Sequence, residues 1–331
     1  MRFLAWFTAL LCYACPAQTL HGAGATFPAP LYLKWIASFQ KGHPGTSIDY
    51  AETGSVAGID QVLSQRVDFA GSDVPLTDDQ LERAPIKVLQ IPTVIGAVAP
   101  IHNVQGEFQG LKFTPEVLAD IYLGKIRKWN DPAIAGLNRG AKLPGAEIRV
   151  VHRSDGSGTT WIWTSFLSDA SAEWEARAGA GTSIVWPVGM AAEKNEGVAA
   201  LVQRTPNSIG YVEAIYAILH QVNFGSVRNR AGKFVKADIE SITAAISTSS
   251  TPRGDFRAKL TRSSDPRSYP VSSFTWLLLP AQNRDIEKQR LMVSFVEWIL
   301  TSGQRECSAL GYVPLPEEVI RAEQSMLQSL H

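Results

Sequence analysis

Residues 153–161 read Arg-Ser-Asp-Gly-Ser-Gly-Thr-Thr-Trp: a guanidinium, a carboxylate two positions on, two glycines and four hydroxyls ahead of a tryptophan. The stretch follows a β-branched run, residues 147–152, and precedes a helical pattern with Trp163, Phe166 and Leu167 on one side. A strand, a glycine turn and a helix start in that order put the amides of Ser157, Gly158 and Thr159 at a helix N-terminus. Unpaired donors and the positive end of the helix dipole favour an anion there. Gly156 and Gly158 allow close backbone approach, and Arg153 adds a fixed charge in a planar fork suited to two oxygens. Asp155 is spaced to hold that fork. The loop lacks the Gly-Lys-Ser/Thr ending of a nucleotide P-loop, and Asp155 stands where a hydrolase nucleophile elbow needs glycine. Taken alone, it also reads as an ordinary turn.

Two further segments have the same character. Residues 22–30 run through two glycines to Thr26 and Phe27 at a helix start, and residues 50–63 leave a strand through Gly54 and Ser55 into another helix. Each is equally readable as an N-cap; together they favour a shared ligand. Asp73 follows a strand pattern, at the loop end where ligands of α/β sheets gather, and it also reads as a turn residue before Pro75.

The elements that must position these residues are those of an α/β protein, with apolar runs alternating with helical patterns. Strands are expected at residues 47–52, 67–71, 91–101, 147–152, 208–213 and 274–279, where β-branched and aromatic residues concentrate. The run at 91–101 exceeds the usual strand of about five or six residues and suits a strand passing between two lobes. Helix signals include Leu31, Trp35 and Phe39 at a spacing of four behind Pro28 and Pro30. A capping box joins Thr77 to Gln80, and Thr114 with Pro115 opens another helix. Leu291, Phe295, Trp298 and Ile299 share one face of a helix expected to stop at Gly303.

Composition sets the outer limits. The 331 residues are 45% apolar and 19% charged, with 31 basic and 31 acidic residues, so a packed core is expected and nothing favours nucleic acid as a partner. The first 17 residues have one basic residue, an apolar run and small residues at Cys15 and Ala17, the layout of a secretory signal peptide cleaved after Ala17. A lipid anchor on Cys15 is the alternative, with Cys12 and Tyr13 a poor lead-in. That leaves Cys307 alone, expected as a buried small residue. The six histidines show no metal-site spacing, and no metal or other cofactor is expected.

With those residues in view, Gly-Ala-Gly-Ala-Thr-Phe-Pro-Ala-Pro (22–30), residues 67–76, 91–98, 120–134, 153–161 and 208–213 resemble, in order and interval, the periplasmic phosphate-binding proteins of phosphate-specific ABC transporters, over about Gly22 to Pro316. The resemblance implies a type II periplasmic-binding-protein fold: two α/β lobes, residues 18–100 with 270–331 and residues 101–269, closing on one dehydrated phosphate around a two-segment hinge. It further implies export to the periplasm, delivery of phosphate to membrane permease subunits, a monomer and no enzymatic activity. Carried over by motif, Thr26 and Phe27 offer a hydroxyl and amides, Ser55 a hydroxyl and amide, and Asp73 an acceptor. Arg153, Ser157, Gly158 and Thr159 complete the cage, with Asp155 steadying Arg153. One departure is Val56-Ala57 after Ser55, where such proteins usually have a serine or glycine. The alternatives are a binder of another tetrahedral oxyanion such as sulfate, with Asp73 as the discriminating residue, an exported phosphatase, or a scaffold that kept the fold.

Overall fold

The computed structural model describes residues 18–104, 106, 110–247, 260 and 263–327, so the signal-peptide reading and Cys15 lie outside the described residues. Its strands are β1 (Gln18–Gly24), β2 (Thr46–Glu52), β3 (Phe69–Ser72), β4 (Val88–Asn103), β5 (Lys112–Phe113), β6 (Arg149–Arg153), β7 (Met190–Ala192), β8 (Ser208–Glu213), β9 (Asn223–Phe224), β10 (Ser226–Arg228), β11 (Phe234–Val235) and β12 (Ser272–Pro280). The helices are α1 (Ala29–Gly42), α2 (Ser55–Leu63), α3 (Asp78–Arg83), α4 (Pro115–Tyr122), α5 (Pro132–Ala135), α6 (Gly158–Ala170), α7 (Ala172–Arg177), α8 (Lys194–Arg204), α9 (Ala214–Leu219), α10 (Ile239–Ser247), α11 (Ile286–Leu300) and α12 (Glu317–Leu327).

The main sheet runs in the order β2-β1-β3-β12-β4-β8-β6-β7. β1 lies parallel to β2 and β3, while β6 lies parallel to β8 and β7. Between these two parallel groups run β12 and β4, antiparallel to their neighbours. The 16-residue β4 changes partner along its length: residues 88–97 pair with β12, and residues 98–103 pair with β8. Beside that change of partner the Val98 amide donates to Val271 O at 2.9 Å, and the Tyr269 hydroxyl donates to Val98 O at 2.9 Å. The strand is buried almost throughout, which is why its sequence reads as one continuous apolar run.

The helices begin where the side-chain chemistry says they should. Leu31, Trp35 and Phe39 are buried on α1, Thr77 and Gln80 close a capping box on α3, and the Thr114 hydroxyl accepts from Val117 N to cap α4. Two expectations need correction. The helix carrying Leu291 ends at Leu300, and Gly303 instead opens a short 3₁₀ turn that leads to the buried Cys307. β1 was not expected as a strand: two glycines and a single β-branched residue give it little intrinsic preference, and it forms because β2 and β3 pair with it on both sides.

Candidate functional site

Every residue singled out for anion capture lies at or just beyond the carboxyl end of a parallel strand. Thr26 and Phe27 follow β1, Ser55 follows β2, and Asp73 follows β3; Arg153 ends β6, with Asp155 and Ser157–Thr159 beyond it. In an open α/β sheet these ends are where loops can converge without breaking the ladder. Here the two parallel groups direct their ends toward each other, and Thr26, Ser55, Asp73, Arg153, Ser157 and Thr159 are each 1–3% exposed.

Contacts across the site are close. A Cβ placed on Gly158 would fall 2.5 Å from both Asp73 Cβ and Ser55 Oγ, so only glycine allows this approach. Gly54 has φ +87°, and a Cβ there would meet Gly156 O at 2.8 Å. The Val56 amide donates to Gly156 O at 3.3 Å, and the Val56 side chain stands over the same glycine, whose own Cβ would fall 2.7 Å from Val56 Cβ. Val56 is thus accommodated because residue 156 has no side chain.

Electrostatics follow from burial. Asp155 Oδ1 accepts from Arg153 Nε at 2.7 Å, and its other oxygen accepts from Arg153 Nη2, a two-point hold on the fork. Burial pushes the Asp155 carboxyl up, but the hydrogen bonds and charge of Arg153, with the Lys194 amide, outweigh it and leave Asp155 below its ordinary value. Arg153 Nη1 is buried and meets no protein acceptor among the described residues. Asp73 lies in the same enclosure: its Oδ1 accepts from Thr275 Oγ1 at 2.8 Å, and its amide donates to Ser55 Oγ at 3.2 Å. Burial pushes Asp73 up to about 7, against the opposing pull of Thr275, Arg153 and Ser55. A buried positive fork with donors to spare, facing a carboxylate that in its ionised form can only accept, suits an anion that itself carries a proton.

Several details differ from expectation. The Ser157 amide donates to Thr182 O at 2.9 Å and the Ser157 hydroxyl caps Thr160 N at 3.1 Å, so this residue can offer an anion its hydroxyl proton but not its amide. Neither Thr26 nor Ser55 is a side-chain cap: α1 begins behind Pro28 and α2 behind Gly54, both without a side-chain cap bond. The Phe27 ring is core, 6.5 Å from the Tyr312 ring, which leaves only its backbone for the site. His152 stacks on Trp186 at 4.8 Å and turns away from the guanidinium, as strand alternation requires.

Two residues escaped the sequence. Thr275, from the middle of β12, reaches Asp73 across the sheet. Asn195, in the first turn of α8, is fully buried and bonds Thr26, Thr159 and the backbone of Glu213. Its local context, Glu-Lys-Asn-Glu-Gly, reads as a solvated helix start, and no periodicity marks it. The one local oddity is Lys194 at φ +62°, which the sequence does not show.

Comparison with known proteins adds a second line of information. A model of the PBP superfamily domain matches residues 14–302. The phosphate-binding protein PstS of Pasteurella multocida is 43% identical over 93% of this chain and 90% of its own. The protein of the same name from Haemophilus influenzae is 38% identical, covering 92% and 91%. Among solved structures, a high-affinity periplasmic phosphate-binding protein (PfluDING) bound with phosphate superposes with a TM-score of 0.73 at 21% identity, covering 93% of each chain. A putative phosphate ABC transporter substrate-binding protein with bound phosphate from Clostridium perfringens gives 0.67 at 20% identity, over 90% and 100%.

Proposed function

This chain belongs to the phosphate-binding proteins of the PBP superfamily, and from that premise we propose that it binds inorganic phosphate in the periplasm and delivers it to the membrane permease of a phosphate ABC transporter. The observation that carries this reading is Arg153 Nη1, a buried donor without an acceptor among the described residues, enclosed with Asp73. A buried guanidinium donor left unpaired costs free energy that an anion removes. Asp73 then selects among anions. Phosphate near neutral pH keeps at least one proton to donate to that carboxylate; sulfate has none and is repelled.

In this reading Thr26, Ser55, Ser157 and Thr159 donate hydroxyl protons, the backbone at Phe27, Gly158 and Thr159 donates amides, and Asp155 fixes the fork. The chain divides into a lobe of residues 18–100 with 270–331 and a lobe of residues 101–269. They are hinged where β4 changes partner at Val98 and where the chain returns beside it at Val271, and the protein works as a monomer. Among the described residues no helix is long and apolar enough to cross a membrane. Binding rather than hydrolysis by a serine nucleophile is favoured because such a serine needs an adjacent base. The Ser157 hydroxyl is engaged as a cap, and His152 stacks on Trp186 instead of approaching it.

The test is calorimetric titration of phosphate-stripped protein with phosphate and with sulfate at fixed pH and ionic strength. Binding of phosphate and not sulfate is expected. Absence of phosphate binding overturns the reading, and preference for sulfate replaces it with the other oxyanion.

A further inference from the structure

Asn195 is 0% exposed, and each of its polar atoms has a defined partner. Its Oδ1 accepts from the Glu213 amide at 3.0 Å, and its Nδ2 lies 2.9 Å from Thr26 Oγ1 and 3.1 Å from Thr159 Oγ1. The backbone amide of Glu213 can only donate, so the side-chain atom facing it must be the oxygen. That removes the usual ambiguity of an amide flip: the two Nδ2 hydrogens point at the two threonine hydroxyls.

A hydroxyl has one proton to give and two lone pairs. With a lone pair of Thr26 and of Thr159 taken by Asn195, each hydroxyl keeps its proton for a different partner, and neither has another protein partner among the described residues. Backbone amides stand behind the other two site hydroxyls. Ser157 Oγ accepts from Thr160 N at 3.1 Å, and Ser55 Oγ accepts from Asp73 N at 3.2 Å, while the Ser55 hydroxyl itself donates to Asp73 Oδ2 at 3.4 Å. A donor therefore stands behind each of the four hydroxyls, and for two of them it belongs to one side chain.

We propose that Asn195 is the positioning residue that sets the proton polarity of the site: by donating to Thr26 and Thr159 together it turns two ambivalent hydroxyls into donors for the anion and ties the loop after β1 to the start of α6. It does not touch the anion. The proposal rests on the phosphate reading above and adds what gives the site its excess of donors.

Asn195→Asp keeps the shape but in either protonation state supplies at most one donor where Asn195 supplies two. Inorganic phosphate is titrated into stripped wild type, Asn195→Asp, the pair Thr26→Val/Thr159→Val, and the triple variant, with thermal melting of each as the control for folding. Asn195→Asp is expected to weaken binding at least about thirtyfold in the wild type and less than about threefold in the valine background, because its effect passes through those hydroxyls. Asn195→Ala runs the same cycle without introducing a carboxyl and covers the case in which the Asp variant does not fold. An equal loss in both backgrounds, as general repulsion or a loosened fold would give, overturns the proposal, as does wild-type affinity in Asn195→Asp. Failure of the underlying reading looks different: the valine pair and Arg153→Ala would then both bind phosphate as the wild type does, or the wild type would bind none.

Discussion

Arg153 is 3% exposed and held at two points by Asp155, so its buried Nη1 donors, unpaired among the described residues, can be satisfied only by something inside the enclosure. Arg153→Ala is expected to weaken phosphate binding by at least about 2 kcal/mol, since the other donors are neutral, and Arg153→Lys to recover only part of that because an ammonium lacks the fork. Titration of both variants checks this. Asp73 allows a prediction with a definite sign in pH. Its folded value of about 7 lies above the ordinary value of 3.8, so below about 4 the proton is held in both states, and between the two values only the folded state keeps it. The ligand-free fold therefore loses stability as pH rises from about 4 to about 7 and no more above that, by an amount on the order of 4 kcal/mol from this group. Ligand-free Asp73→Asn should melt above the wild type at pH 8, with the advantage shrinking toward pH 5. Melting curves that stay parallel across that range would rule out a titrating Asp73. The same variant should narrow the phosphate-to-sulfate preference at least about tenfold, because the charge that rejects a protonless anion is gone.

At the scale of elements, the N-terminus of α6 is set against the loops after β2 and β3 so closely that its first residue must be glycine. Gly158→Ala separates packing from folding. Alanine is the better helix former by up to about 1 kcal/mol, so the ligand-free protein should melt within a few degrees of the wild type or higher. The new methyl would lie 2.5 Å from Asp73 Cβ and Ser55 Oγ when the site is closed, a strain of roughly 1–3 kcal/mol. Phosphate affinity should fall about tenfold or more with no matching loss of thermal stability. A variant that binds as the wild type does would mean that α6 and Asp73 do not meet in the bound form.

For the molecule as a whole, the change of partner along β4 near Val98, with Val271 alongside, concentrates the connection between the two parallel strand groups into two adjacent segments. A hinge built this way needs only a few backbone angles to change. On the proposed reading phosphate bridges groups from both sides, binds the closed form better and should shift the population toward it. Solution scattering is expected to show a smaller radius of gyration with saturating phosphate than in stripped protein. Equal values in protein verified to be ligand-free would argue for a rigid site.

The α/β class, the capped helices and the pairing of Arg153 with Asp155 were legible in the chain because they depend on neighbours: a hydroxyl three residues from an amide, apolar residues every fourth position, a carboxylate two residues from a guanidinium. Residues 153–159 carry strand end, turn and helix start within one short stretch, which is why that loop could be read as an anion cradle from its spelling. What stayed hidden depends on distance in the fold. β1 is a strand only because β2 and β3 flank it, and Thr275 and Asn195 face the site from 202 residues after Asp73 and 169 after Thr26. Whether the Ser157 amide is open or taken was decided by Thr182 O, from another loop. Local spacing determines which groups a loop can present; only the tertiary structure determines which of their donors and acceptors are already used, because a hydrogen bond is satisfied by whatever the fold brings near it.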